Sequence, residues 1–190
     1  MDPTPSPVPW ERGPSRTLLT TPIFDVQSVS FRHPRRDRDR EFLVIDSADW
    51  VVAVAVTKQD EIVLVRQFRF GANAFSLELP GGIIDGEESP IEAAQRELAE
   101  ETGYVGSPAR LIGSTHPNPA IQSNRNHIVL IEQAERSRDL AWDEHEELEV
   151  IVSPLADALA AARDGRISHA LMLNALFLFE ADRRARGTAV

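Results

Sequence analysis

The chain has 190 residues, enough for one domain with a sizeable core, and its 20 basic and 30 acidic side chains leave a formal charge of −10. That balance argues against general nucleic-acid binding and against adhesion to an anionic membrane. The absence of cysteine excludes disulfides and thiolate metal sites and suits a reducing cytoplasm.

Residues 1–16 (MDPTPSPVPWERGPSR) read as a proline-rich extended arm, taken to end near residue 20, with no apolar core of a signal peptide. Alternation of Phe24, Val26, Val29 and Phe31 predicts a strand over Ile23–Phe31, and Phe42–Ile45 predicts another. The charged residues 33–41 between them form a solvated turn. Trp50–Thr57 and Glu61–Phe70 are strong strands joined at Lys58-Gln59-Asp60. Ser76–Leu79 leads into a glycine-rich loop. Of Phe68, Phe70 and Phe75, at least two are expected in the strand core, with stacking on a base as the alternative.

A helix is predicted over 90–102. Ser89 is a good N-cap, Pro90 suits the first helical position, Glu92 completes a capping box, and Gly103 stops the run. Ile91, Ala94 and Leu98 form its apolar stripe. Glu97 and Glu101 stand at i and i+4, with Glu100 on the same side. Three carboxylates crowded on one face, opposed only by Arg96, make sense if a divalent cation sits among them; hard oxygen donors suit Mg²⁺ or Mn²⁺. Strands follow at Ala109–Thr115, His127–Ile131 and Leu148–Val152. Leu155–Arg163 and Ser168 to about Arg184 close the chain as helices with Gly165 between them. The longest apolar stretch, Ala170–Phe179, is too short to span a bilayer and is broken by Asn174. The five histidines show no zinc spacing. A mixed sheet flanked by helices is an α/β or α+β sandwich.

The run GIIDGEESPIEAAQRELAEETGY resembles the signature of the Nudix hydrolases, and every fixed position is filled: Gly82, Glu88, Arg96, Glu97, Glu100, Glu101 and Gly103. The resemblance implies an α/β/α sandwich over 48–190 and metal-assisted cleavage of a phosphoanhydride. It implies Mg²⁺ (or Mn²⁺) ligands at Glu97, Glu100, Glu101 and the Gly81 carbonyl, with Arg96 and Glu88 as a scaffolding pair. Residues 21–47, the N-terminal antiparallel strands, are expected to help build a homodimer.

Three outlying features are similar to the branch that cleaves ADP-ribose and nucleotide sugars. Val65-Arg66-Gln67-Phe68-Arg69 matches a strand ending in Gln-x-Arg, which implies that Arg69 contacts substrate phosphate. Pro119 stands at the branch's spacing in a loop over the site, although Ala120 replaces a glycine and Asn124 takes an acidic position. That departure leaves nucleoside diphosphate sugars other than ADP-ribose open. The loop Trp142–Glu147 matches an acidic Glu-x-Glu, implying catalytic roles for Glu144 and Glu146, with Glu147 or Asp143 as substitutes if the register shifts. The expected partner is a small nucleotide substrate. The alternatives are a sensor that binds a nucleotide without cutting it, or a hydrolase of dinucleoside polyphosphates or NADH.

Overall fold

The computed structural model describes residues 6–140 and 147–187. Two compact units divide them. One comprises residues 6–48 and 116–124, the other 49–115 and 125–187.

In the smaller unit, strands β1 (Glu11–Thr20), β2 (Asp25–Arg32) and β3 (Asp39–Asp46) form an antiparallel sheet in that order. The arm expected over residues 1–20 is therefore a paired strand from Glu11 onward. Its prolines did not prevent this because Pro14 falls at an irregularity in the β1–β2 register, between Arg12 and Ser15, on an edge strand where a missing N–H costs little. The charged turn is shorter than expected, since β3 already begins at Asp39. The segment 116–124 also belongs to this unit: Ile45 N–H donates to the Ile121 carbonyl at 2.7 Å and Ser123 N–H to the Ile45 carbonyl at 3.0 Å. The expected single span 48–190 is thus interrupted at this loop.

The larger unit is built on a mixed seven-stranded sheet. Its strands are β4 (Trp50–Thr57), β5 (Glu61–Arg69), β6 (Ala74–Glu78), β7 (Tyr104–Val105), β8 (Ala109–Thr115), β9 (Asn126–Arg136) and β10 (Glu149–Pro154). The main path runs β10-β5-β4-β9-β7, with β6 on β5 and β8 on β9. β4 and β9 pair in parallel at its centre and the other pairs are antiparallel. The run Val51–Val56 is buried on both faces, which is why it is continuously apolar rather than alternating.

Period-two alternation sorts β4 onto two cores. Val52, Val54 and Val56 pack with Ile128 and Leu130 against helices α2 (Leu155–Asp164) and α3 (Ala170–Ala185). Val51, Ala53 and Ala55 pack with Val129 and Ile131 against Ala93, Ala94 and Leu98 of helix α1 (Pro90–Thr102). Small residues on both sides let α1 lie close to the sheet. Helices on both faces of a mixed sheet make the expected α/β/α sandwich. The α1 limits match the sequence expectation because both caps are present. The Ser89 hydroxyl accepts from Glu92 N–H, Glu92 accepts from Ser89 N–H at 2.8 Å, and Gly103 closes the helix at φ 72°.

Candidate active site

Two antiparallel backbone bonds dock the glycine loop on the start of β4: Val51 N–H donates to the Gly82 carbonyl at 2.9 Å, and Gly82 N–H to the Val51 carbonyl at 3.1 Å. The approach is tight enough to require glycine. A Cβ on Gly81 would lie 2.2 Å from the Val51 carbonyl oxygen, and one on Gly82 would lie 2.3 Å from Glu97 Oε1. The loop thereby meets the acidic face of α1. Gly81 N–H donates to Glu101 Oε2 at 3.1 Å, and Glu101 is buried at 4% exposure.

Arg96 organises the remaining acids. Its guanidinium donates to both Glu88 oxygens at 2.6 and 3.2 Å, to Glu97 Oε1 at 2.9 Å, to Glu100 Oε2 at 3.1 Å and to the Ile83 carbonyl at 3.1 Å. These bonds to Glu88 first, then to the other two acids, raise the Arg96 pKa further above its ordinary value, and Arg96 in turn lowers that of Glu88. One cation thus binds the loop, the helix and three carboxylates into a single network.

Among the described residues, no three acidic or imidazole groups stand as a ready-made metal cluster. With Glu97 and Glu100 engaged by Arg96, the acids converge on the guanidinium. The donor set nevertheless fits a hard divalent cation: oxygen atoms only, borne by three glutamates of one helix. The bare Cα of Gly82 also leaves the space beside Glu97 that a methyl group would fill.

Beside the loop opens a cavity of about 1160 Å³. Arg69 borders it but is also held from behind, donating to Glu78 from Nε at 2.8 Å and Nη2 at 2.6 Å. Glu78 is fully buried. Burial alone would raise its pKa, but the Arg69 hydrogen bonds and charge outweigh it and hold it below the ordinary value. The same bonds raise Arg69, with a further electrostatic contribution from Glu101.

Phe68, Phe70 and Phe75 border the cavity in edge-to-face contact, at 38%, 85% and 67% exposure. This overturns the expectation that at least two of them sit in the core. The β5–β6 hairpin leaves the rings largely uncovered among the described residues, apart from the Arg66 guanidinium, which lies 5.1 Å from the centre of the Phe75 ring. Glu147 also borders the cavity, whereas Glu144 and Glu146 lie outside the described residues. Pro119 belongs to the smaller unit.

Several residues at or behind the cavity wall escaped the sequence reading. Glu78 sits nine positions from Arg69 with no local pattern linking them; only the hairpin brings them together. His169 caps α3, which begins at Ala170 rather than Ser168: its Nδ1 accepts from Leu171 N–H at 3.1 Å. Trp50 and Asn126 face each other in register at the starts of β4 and β9 and both border the cavity. A polar residue just ahead of the apolar run Ile128–Ile131 is the one sequence signal that points to Asn126.

The glycine loop docked on β4, the Arg-organised acidic helix and the adjoining cavity define a Nudix-type hydrolase scaffold. A family model described as the NUDIX domain matches residues 47–175, more than half of the chain, and the chain belongs to the Nudix family. It is 36% identical over 112 residues to the ADP-ribose pyrophosphatase of Bacillus subtilis, covering 57% of this chain and 60% of that one. The ADP compounds hydrolase NudE of Escherichia coli is 28% identical over 165 residues, covering 85% and 87%. The GDP-mannose pyrophosphatase of Pectobacterium atrosepticum is 32% identical over 159 residues, covering 79% and 80%. A crystal structure of an ADP compounds hydrolase superposes with a TM-score of 0.83 at 24% identity, over 98% of this chain and 100% of that one, a likeness of fold.

Proposed function

We propose that the protein hydrolyses the diphosphate of a nucleoside diphosphate linked to a sugar, ADP-ribose or another nucleotide sugar, to a nucleoside monophosphate and a sugar phosphate. The observation that carries this reading is the meeting of the α1 carboxylates with the Gly81–Gly82 turn at the edge of a nucleotide-sized cavity. The printed activities of the relatives, on ADP-ribose, ADP compounds and GDP-mannose, support the substrate class.

Nudix hydrolases generally use a divalent metal. Glu97, Glu100, Glu101 and the Gly81 carbonyl would hold Mg²⁺ (or Mn²⁺), which when bound neutralises diphosphate charge and lowers the pKa of water. Arg69, pre-oriented by Glu78, binds phosphate oxygens as negative charge develops. A carboxylate of the 144–147 loop, Glu144 or Glu146 or the cavity-lining Glu147, accepts the proton of the attacking water. Arg96 positions the acids and does not touch the substrate. Phe70 and Phe75 offer exposed faces on which the base stacks.

We infer a cytoplasmic location, which the cysteine-free composition suits. No helix of the described residues is long and apolar enough to cross a membrane. The smaller unit exposes Trp10, Leu18, Leu19, Phe42 and Leu43, an apolar surface suited to a second copy in a homodimer. Incubation with ADP-ribose, GDP-mannose, UDP-glucose and NADH, with and without Mg²⁺, followed by chromatography of the products, tests the reading. Metal-dependent release of a nucleoside monophosphate and a sugar phosphate is the expected result. Tight nucleotide binding without turnover would make the protein a sensor instead.

A further inference from the structure

Asn126 is fully buried, yet neither its Oδ1 nor its Nδ2 has a hydrogen-bond partner among the described residues. Its neighbours are already engaged. Across the β8–β9 pair, the Thr115 hydroxyl donates to Asn174 Oδ1 at 3.2 Å. Next along β9, His127 lies between Ser114 at 2.8 Å and Asp49 at 2.9 Å. A buried carboxamide with both halves unmatched is costly to keep in a native fold and calls for an explanation.

Its position supplies one, given the proposed reaction. The C-terminal end of β5 and the N-terminal ends of β4 and β9 lie at one end of the sheet, with β4 in the middle. Neighbouring strands are about 4.8 Å apart, so Asn126 stands roughly 10 Å across the sheet from the line of β5. Along this end of the sheet, then, the order is aromatic rings and Arg69 on the β5–β6 hairpin, the Gly81–Gly82 turn against β4, Trp50 on β4, and Asn126 on β9 with its amide beneath the cavity wall. A nucleoside diphosphate sugar presents its base, its diphosphate and its sugar in the same order. A diphosphate offers only acceptors and would satisfy only the Nδ2 half of the amide. Two neighbouring sugar hydroxyls offer a donor and an acceptor side by side, the complement of a carboxamide.

We propose that Asn126 is a specificity-determining residue that takes a vicinal diol of the substrate's sugar, the group beyond the diphosphate. The proposal rests on the nucleotide-sugar reading above. A site built to pair with a hydroxyl rejects the analogue that lacks it, because its own polar group is then left unmatched.

The test compares wild type, Asn126→Ala and Asn126→Asp on two pairs of substrates: ADP-ribose with its analogue lacking the 2-hydroxyl of the terminal ribose, and GDP-mannose with GDP-2-deoxymannose. Wild type is expected to prefer the hydroxylated member of the better-used pair at least tenfold in kcat/KM, expressed mainly in KM. Asn126→Ala should lose about tenfold on that substrate, match wild type on its deoxy analogue and so abolish the preference. Melting temperatures check that each variant is folded; should the alanine variant not fold, Asn126→Asp, which keeps the volume but exchanges the donor for an acceptor, carries the test. As a readout apart from turnover, the Asn126 side-chain amide resonance should shift on adding ribose 5-phosphate. Unchanged KM values and an unshifted resonance would overturn the proposal and mean that internal water alone satisfies the amide. A wild type that cleaves nucleotide sugars with Asn126 indifferent sinks this inference alone, whereas a wild type that cleaves none sinks the functional reading and this one together.

Discussion

Arg69 grips Glu78 with Nε and Nη2 at 2.8 and 2.6 Å, and the two ends of this pair lie in different environments: the carboxylate is fully buried while the arginine side chain is 42% exposed and borders the cavity. The fork geometry removes most of the guanidinium's rotational freedom. The cation proposed to meet phosphate is therefore held in place before any ligand arrives, at the cost of a buried acid that depends on it.

Removing Arg69 should accordingly affect stability as well as turnover. Arg69→Ala leaves a buried carboxylate unpaired; allowing for the half-exposed arginine, the loss is about 2 kcal/mol. Arg69→Lys keeps the charge but not the fork, and should retain most of the stability while losing activity on diphosphate substrates. Urea unfolding midpoints set beside kcat/KM for the three proteins check both parts.

The same pair sets an acid limb. The folded-state pKa of Glu78 lies below its ordinary value of 4.5, so its stabilising contribution is complete above that value and disappears as pH falls through the lower folded value. Glu78→Gln lacks this titration. Wild type should exceed it in stability near neutrality, and the gap should narrow in the acid range below 4.5. A gap that widens on acidification would show the opposite sign of shift.

The two loop glycines should fail in different ways. A Gly81→Ala methyl meets the Val51 backbone oxygen, which cannot yield without moving β4, and the expected loss is about 1–3 kcal/mol. A Gly82→Ala methyl meets first the Glu97 carboxylate, the far end of a flexible side chain. That variant should melt within a few degrees of wild type yet lose catalysis, because Glu97 is pushed aside. Differential scanning calorimetry beside a turnover assay separates the two.

On the acidic face, Glu97→Gln and Glu101→Gln should each cost on the order of 10³-fold or more in kcat if the metal supplies the main charge stabilisation. A Glu101→Gln enzyme with near-normal turnover in saturating Mg²⁺ would remove that residue from the metal site.

Phe70 and Phe75 are too exposed to hold the fold together. Their alanine variants should stay within about 0.5 kcal/mol of wild type in stability. If the base stacks there, KM for a nucleotide sugar should rise several-fold with little change in kcat. Unaltered KM values would return the rings to a different role.

Much of this was legible in the chain because the information is local. The α1 boundaries follow from Ser89, Pro90, Glu92 and Gly103, each acting within four residues, and the spacing of Arg96, Glu97, Glu100 and Glu101 places them on one side of any helix that forms. The continuous apolar run of β4 announces a strand covered on both faces. The errors arose where a property belongs to the assembled surface. Phe68, Phe70 and Phe75 carry the strand pattern of core residues, yet the assembled fold leaves them 38%, 85% and 67% exposed. Pro14 and its neighbours read as an arm, yet β2 offers that segment an edge on which to pair.

Sequence alone determined the family, the sandwich and the acidic helix, since capping, periodicity and residue spacing act over a few bonds and persist in whatever surroundings the chain meets. The tertiary structure alone decided that Arg69 leans on Glu78, that Arg96 gathers the three acids, and that an unmatched Asn126 amide is buried beside the cavity. Those relationships join side chains from separate strands and helices, and their energies exist only once packing has excluded water and brought them within hydrogen-bonding distance.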